Sequence, residues 1–397
     1  MGDLHFNPMD PEFLADPYPM YHRLRAEDPV HHSPLGFWVL TRYEDVVSVL
    51  RDPNFAKEAI AAFVAQRLGV DATVGVGISM LDRDPPDHTR LRSLVSKAFT
   101  PRVVEGLRPR IQQIVDELLD RAEDHRSMDL IEEFAYPIPV IVICEMLGVP
   151  VEDHERFRGW SLDLARGLDA TMLAPGSDVA QRAAAARRGL SDYFRELIAA
   201  RRDSPRGDLL TALITAEEAG DKLSEHELLA TCILLLVAGH ETTVNLLGNG
   251  TLALLRHPDQ LRLLRENPGM IGSAIEELLR YDGPVQRTAR VPSAAAIIDG
   301  HKIEAGEMVM PFIGAADRDP AQFPDPDRLD LKRTDNRHIA FGWGIHFCLG
   351  APLARLEGQI AINTMLRRFP KLALATDRPE YRQSLTLRGL KSLPVAF

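Results

Sequence analysis

The chain has 397 residues, 45% of them apolar and 26% charged, a balance typical of a globular protein with room for a large core. Its 57 acidic against 46 basic residues leave a formal net charge of −11, which argues against nucleic-acid binding or attachment to an anionic membrane. Three cysteines, Cys144, Cys232 and Cys348, with no C-x-x-C pair, exclude a disulfide scaffold and a zinc ribbon.

In chain order the pattern is helix-rich. The first residues lack a basic segment followed by an apolar core, so no secretory signal is expected. A helix is predicted over 17–28 after a proline-rich entry, and a strand over 36–43, GFWVLTRY. Helices follow over 87–98 and over 101–122, the latter with Pro101 in its first turn. Residues 130–147 are apolar on nearly all sides and read as one buried helix carrying Cys144. Two more helices span 178–202 and 208–219. The longest runs from 224 to about 256; it opens on the capping box Ser224-x-x-Glu227 and stops before His257-Pro258. At 1.5 Å per residue it is a rod of roughly 48 Å, long enough to cross a domain. Its most apolar stretch, around Cys232–Gly239, falls short of the roughly 20 residues a membrane span needs, so no span is expected.

Beyond it, strand-like runs flank Asp299-Gly300, a hairpin turn signal. Residues 317–338, rich in proline and aspartate, read as irregular. Helix returns over 349–368, with Leu349, Leu353, Leu356 and Ile360 on one face, and the last residues read as a closing strand pair. The economical reading is mainly α with small β-sheets, one domain over 1–397 built around something large and buried.

One motif carries chemistry. Residues 341–350 read Phe341-Gly342-Trp343-Gly344-Ile345-His346-Phe347-Cys348-Leu349-Gly350, or F-G-x-G-x-H-x-C-x-G. At about one residue in twenty per fixed position, chance gives this on the order of 10⁻⁵ times over the chain. Cys348 lies just before a helix, whose unpaired N–H groups and dipole favour a thiolate, and the glycines permit tight turns and close approach to a flat ligand. A second segment, Ala238-Gly239-His240-Glu241-Thr242-Thr243, sits mid-way along the long helix. His240-Glu241 invites a zinc-protease reading, but Val244 stands where the second histidine is required. A third, Glu277-Leu278-Leu279-Arg280, puts an acid and a base on one helix face.

Together these segments resemble the cytochrome P450 family over nearly the whole chain. The resemblance implies the helical fold of that family around a buried haem b (iron protoporphyrin IX), with Cys348 as the iron ligand, Phe341, Gly342 and Gly350 shaping its loop, and His346 reaching a haem propionate. His88, Arg92 and Arg290 match the other propionate positions. Gly239 would leave room for the oxygen side, Thr242 would hydrogen-bond dioxygen, and Glu241 would relay protons. Glu277 and Arg280 would form a buried structural network with a downstream arginine, assigned to Arg328 in FPDPDRLD. Leu234, Val237, Ala238 and Val285 would line the substrate pocket, with Gln286, the segment 57–84 (Phe63, Val74, Val76, Ile78, Met80) and the loop near 168–178.

The implied reaction is monooxygenation of a hydrophobic small molecule such as a macrolide, terpenoid, steroid or fatty acid, in the cytoplasm. Without a readable dinucleotide-binding unit, electrons are expected from a separate ferredoxin and its reductase, received by Lys97, Arg102 and Arg355. Two rivals are a peroxide-driven peroxygenase, disfavoured by the Glu241-Thr242 pair, and a non-catalytic haem sensor, for which no output domain is visible.

Overall fold

A computed structural model describes residues 6–60, 63, 79–169, 178–216 and 223–397. Contacts group the chain into two compact units, each discontinuous in sequence. The first comprises Met1–Ala56, Leu107–Ile138 and Thr242–Phe397, the second Lys57–Gly106 and Pro139–Glu241.

The second unit is helical among its described residues. Helix Asp178–Asp203 packs along His154–Gly167 because both drop their side chains at the contact. A Cβ on Gly189 would lie 2.7 Å from the Trp160 ring, and one on Gly167 2.8 Å from Ala183. The predicted capping box forms: Ser224 Oγ accepts from the Glu227 amide at 3.3 Å, and Glu227 Oε2 accepts from the Ser224 amide at 2.7 Å. Arg90, on helix Asp87–Ser96, closes on the same Glu227 carboxylate.

The first unit holds the sheets. Strand Phe37–Leu40 pairs antiparallel with Val30–Ser33 and parallel with Met308–Pro311, Phe37 opposite Met308. Its inner face joins a cluster that includes Val46, Val49, Ile303, Ile313 and Ile339. The hairpin of Ala296–Ile298 and His301–Ile303 turns where predicted, with Asp299 and Gly300 at φ of 45° and 79°.

Four expectations change. The helix at 101–122 breaks into Pro101–Gly106 and Arg108–Glu123, because Gly106 is a weak helix former and Pro109 offers no N–H. The helix at 130–147 starts as a wide turn over Ile131–Ala135 and becomes regular only over Pro137–Leu147, since Pro137 and Pro139 cannot donate into the preceding turn. The chain does not close on a strand pair: one strand, Pro394–Ala396, lies between Ser127–Asp129 and Ala373–Leu374. Finally, helix Glu225–Arg256, 32 residues, is long and apolar enough to cross a membrane by length and composition, with a window of mean hydropathy 1.4. Of that window 61% is buried inside the protein, which is how a core helix that is apolar all round satisfies itself.

The ends of the chain are tied together by one arginine. Arg388 donates to Asp282 Oδ1 at 2.6 Å and to the carbonyls of Leu14 and Ala15 at 3.0 Å, and lies 3.9 Å over the Tyr381 ring. Its side chain is only 6% exposed. Removing it leaves the Asp282 carboxylate without this cation, though with the Tyr18 hydroxyl at 2.7 Å, so Arg388→Ala is expected to cost about 3 kcal/mol. Urea unfolding checks the loss, and limited proteolysis checks the release of helix Pro11–Ala15.

Candidate active site

The cysteine loop is built by its own backbone. Gly342 and Gly344 both adopt φ of 73°, a conformation only glycine takes without strain. Gly344 is fixed sterically as well, since a Cβ there would lie 2.4 Å from the Leu50 carbonyl oxygen. The Gly342 amide donates to Ile339 at 2.7 Å, the Phe347 amide to Gly344 at 3.1 Å, and the Cys348 amide to Phe341 at 2.9 Å. Gly350 leaves the sulfur uncrowded, a Cβ there coming only to 4.0 Å from Cys348 Sγ. Helix Ala351–Arg368 begins directly afterwards with Pro352 in its first turn. The other two cysteines are full-time hydrophobes: burial pushes the thiols of Cys144 and Cys232 up to about 12. Cys348 is half-buried and sits at a helix start.

Glu277 and Arg280 form the expected pair, at 2.8 Å from both Nε and Nη2, with side chains 1% and 0% exposed. The third arginine is Arg333, not Arg328. Arg333 Nε donates to Glu277 Oε2 at 3.2 Å, joined by Asn336 Nδ2 at 3.2 Å. Arg328 takes part only through its carbonyl, which accepts from Arg280 Nη2 at 3.2 Å. The reason is local: a turn from Asp325, at φ of 47°, to the Arg328 amide sends that side chain to solvent. The chain then folds back so that Arg333 caps the Pro324 carbonyl at 2.9 Å.

On the long helix, Leu234, Val237, Ala238, Gly239 and Thr242 keep accessible surface in a stretch otherwise buried. At helical spacing these residues form one stripe. Gly239 also serves packing: a Cβ there would lie 2.9 Å from Ile143 Cγ1, on helix Pro137–Leu147. His240 Nδ1 donates to the Leu236 carbonyl at 2.7 Å, and its Nε2 lies 3.5 Å from Glu241 Oε1, both side chains buried.

Sequence reasoning missed Glu357. It lies four residues after Leu353 and three before Ile360, on the apolar face of its helix, and that misplaced charge is the signal that could have found it. Burial raises its carboxyl to about 8, against a lowering by the Thr243 hydroxyl.

Among the residues matched to propionate contacts, His88 and Arg92 share helix Asp87–Ser96 in the second unit, and Arg290 and His346 belong to the first. His88 is buried, and burial and the neighbouring Arg92 charge hold its imidazole below the usual value, hence neutral. Arg290, 4% exposed, donates to the Thr288 hydroxyl at 3.1 Å. Buried Arg287 beside it was not anticipated. Val285 is half-buried and bridges to Leu387, and Gln286 is buried. Most of the 57–84 wall, including Val74, Val76 and Ile78, and residues 170–177 lie outside the described residues.

The family model described as Cytochrome P450 matches residues 30–391. Cytochrome P450 107B1 of Saccharopolyspora erythraea is 48% identical, covering 97% of this chain and 96% of its own. The vitamin D(3) 25-hydroxylase of Pseudonocardia autotrophica is 46% identical, covering 97% and 94%. Among solved structures, a myxobacterial cytochrome P450, CYP267B1, in complex with myristic acid superposes with a TM-score of 0.91 at 45% identity, covering 98% of each chain.

Two measurements check the buried charges. Arg333→Ala leaves Glu277 short of a donor and is expected to cost about 3 kcal/mol by urea unfolding, whereas Arg328→Ala should stay within about 0.5 kcal/mol. For Glu357, the unfolded carboxyl releases its proton near 4.5 but the folded one only near 8. The folded chain therefore binds more protons in between, and stability falls as pH rises from 4.5 to 8. Glu357→Gln is expected to flatten that fall, read by unfolding midpoints at pH 5.5 and 8.

Proposed function

The chain belongs to the cytochrome P450 family, whose members are monooxygenases, and from that membership we propose that Cys348 is the thiolate ligand of a haem b in a single catalytic domain over 1–397. The observation that carries the assignment is Cys348 itself: the one half-exposed cysteine of three, on a glycine-built loop at the start of a helix. The rest of the donor set fits a haem. In the unit that holds Cys348, His346 and buried Arg290 suit a carboxylate, the family resemblance adds His88 and Arg92, and Gly350 keeps the loop thin beside the sulfur. When bound, the haem supplies dioxygen activation, which a thiolate ligand promotes. The overall reaction is RH + O₂ + two electrons + two protons giving ROH + water.

The chain's own residues have three tasks. The helix start stabilises the Cys348 thiolate with its unpaired N–H groups. His240 and Glu241 precede Thr242 on the helix: His240 Nδ1 donates to the Leu236 carbonyl, which turns Nε2 toward Glu241 Oε1 at 3.5 Å. Glu241 would pass a proton to the Thr242 hydroxyl, which would hold it for the dioxygen chemistry a haem would supply. This acid–alcohol pair favours reductive activation over a peroxide-driven cycle.

Leu234, Val237 and Ala238 give the substrate side an apolar wall, which suits a hydrophobic substrate. Relatives that bind myristic acid or are named for hydroxylating vitamin D(3) support that class. The enzyme works in the cytoplasm with a ferredoxin and its reductase as electron donors.

The test is the visible spectrum of the reduced protein under carbon monoxide, beside Cys348→Ala. A strongly red-shifted Soret band in the wild type, absent in the variant, is expected. Haem-loaded protein without that band overturns the assignment. With a surrogate ferredoxin system, substrate-dependent NAD(P)H consumption is expected to separate the enzyme from a peroxygenase or a sensor.

A further inference from the structure

A polar cluster beside the cysteine loop takes no part in the reaction described above. Glu276, on helix Ile271–Asp282, accepts hydrogen bonds from Arg355 Nε at 2.7 Å and Nη2 at 2.8 Å, and from His338 Nε2 at 2.9 Å. His338 is oriented by its other nitrogen: Nδ1 accepts the Ala340 amide at 3.2 Å, so the proton sits on Nε2 and faces Glu276. The three side chains come from separate segments, and His338 and Arg355 lie on either side of Cys348 in the chain. Burial pushes the Glu276 carboxyl up, but the bonds from His338 and Arg355 outweigh it and hold it at about 2, so the carboxylate stays charged.

What this cluster grips is Phe341. The Arg355 guanidinium lies 4.6 Å over the Phe341 ring, and the His338 ring centre is 6.2 Å from it. A two-pronged carboxylate contact fixes the plane of a guanidinium, and a fixed cation over an aromatic face fixes the ring. The carbonyl of the same Phe341 accepts the Cys348 amide at 2.9 Å. A force on Phe341 is therefore transmitted one hydrogen bond away to the backbone that presents the sulfur.

We propose that Glu276, Arg355 and His338 form a clamp that positions Phe341 and, through it, Cys348. Arg355 is then a positioning residue and not a docking cation for an acidic ferredoxin, the role its charge suggests in the sequence. The inference rests on the reading of Cys348 as the haem ligand.

The experiment follows Cys348 in the holoenzyme by two readouts that need no turnover: the lifetime of the red-shifted ferrous–carbon monoxide band, and the rate at which Cys348 reacts with a thiol reagent. Cys144 and Cys232 are both 0% exposed, so the labelling reports Cys348. Arg355→Met and Glu276→Gln are each expected to shorten the band lifetime and quicken labelling about tenfold. Arg355→Lys, which keeps the charge but not the fork, should recover less than half of the loss. Phe341→Leu should give the same phenotype, and Arg355→Met added to it should change nothing further. Additive effects in the double variant would overturn the clamp. So would an Arg355→Met enzyme with band lifetime and labelling within twofold of wild type and only a raised KM for ferredoxin, which is the docking outcome. A wild type that labels at once and shows no red-shifted band would instead sink the ligand assignment, and the clamp with it.

Discussion

A carboxylate with almost no access to water needs every lone pair answered, and the arrangement around Glu277 follows from that requirement. Its two oxygens accept from Arg280, Arg333, Asn336 and the Asp330 amide. Arg280 in turn spends its remaining N–H groups on the carbonyls of Asp317, Pro326 and Arg328. The result is that residues 317–338, which have no helix or strand to satisfy their backbone, are held by side chains. That stretch leads straight into the cysteine loop, so the loop inherits a fixed entrance. Glu276, the neighbouring residue on the same helix, does for the far side of the loop what Glu277 does for the near side.

The long helix is governed by a different rule. It is apolar enough to pass for a membrane span, yet His240, Glu241, Thr243, Asn245 and Asn249 are buried within it. Each such group needs a partner: the Leu236 carbonyl for His240, the carbonyls of Asp282 and Arg388 for Asn249. These polar positions are what a passive core helix would lack. Three of them, His240, Glu241 and Thr243, flank Thr242, where accessible surface appears.

What the sequence disclosed was whatever depends on near neighbours. The Ser224–Glu227 capping box, the Asp299-Gly300 turn and the tight turns at Gly342 and Gly344 are set largely by backbone conformation within a few residues, and all appear as read. The spacing of Glu277 and Arg280 likewise needs only one helical turn. What was hidden depends on where distant segments return. Arg328 and Arg333 are equally plausible partners in a line of text, and only the turn at Asp325 decides between them. That Gly239 also packs against Ile143 cannot be read from the sequence alone. Arg355 reads as a surface cation until Glu276, far back in the chain, is found beside it.

The last strand has a consequence for how the protein comes into being. Pro394–Ala396 supplies the middle of a sheet whose outer strands begin at residues 127 and 373, and Arg388 holds carbonyls near residue 14. Those contacts cannot form while residues 388–396 are still inside the ribosome. The first unit therefore waits, with helix Pro11–Ala15 and the strand at Ser127–Asp129 lacking these partners, until residues 388–396 emerge. Such long-separation closure is slow and leaves apolar surface open to wrong associations. This three-stranded sheet thus marks a point in folding before which its outer strands still need protection.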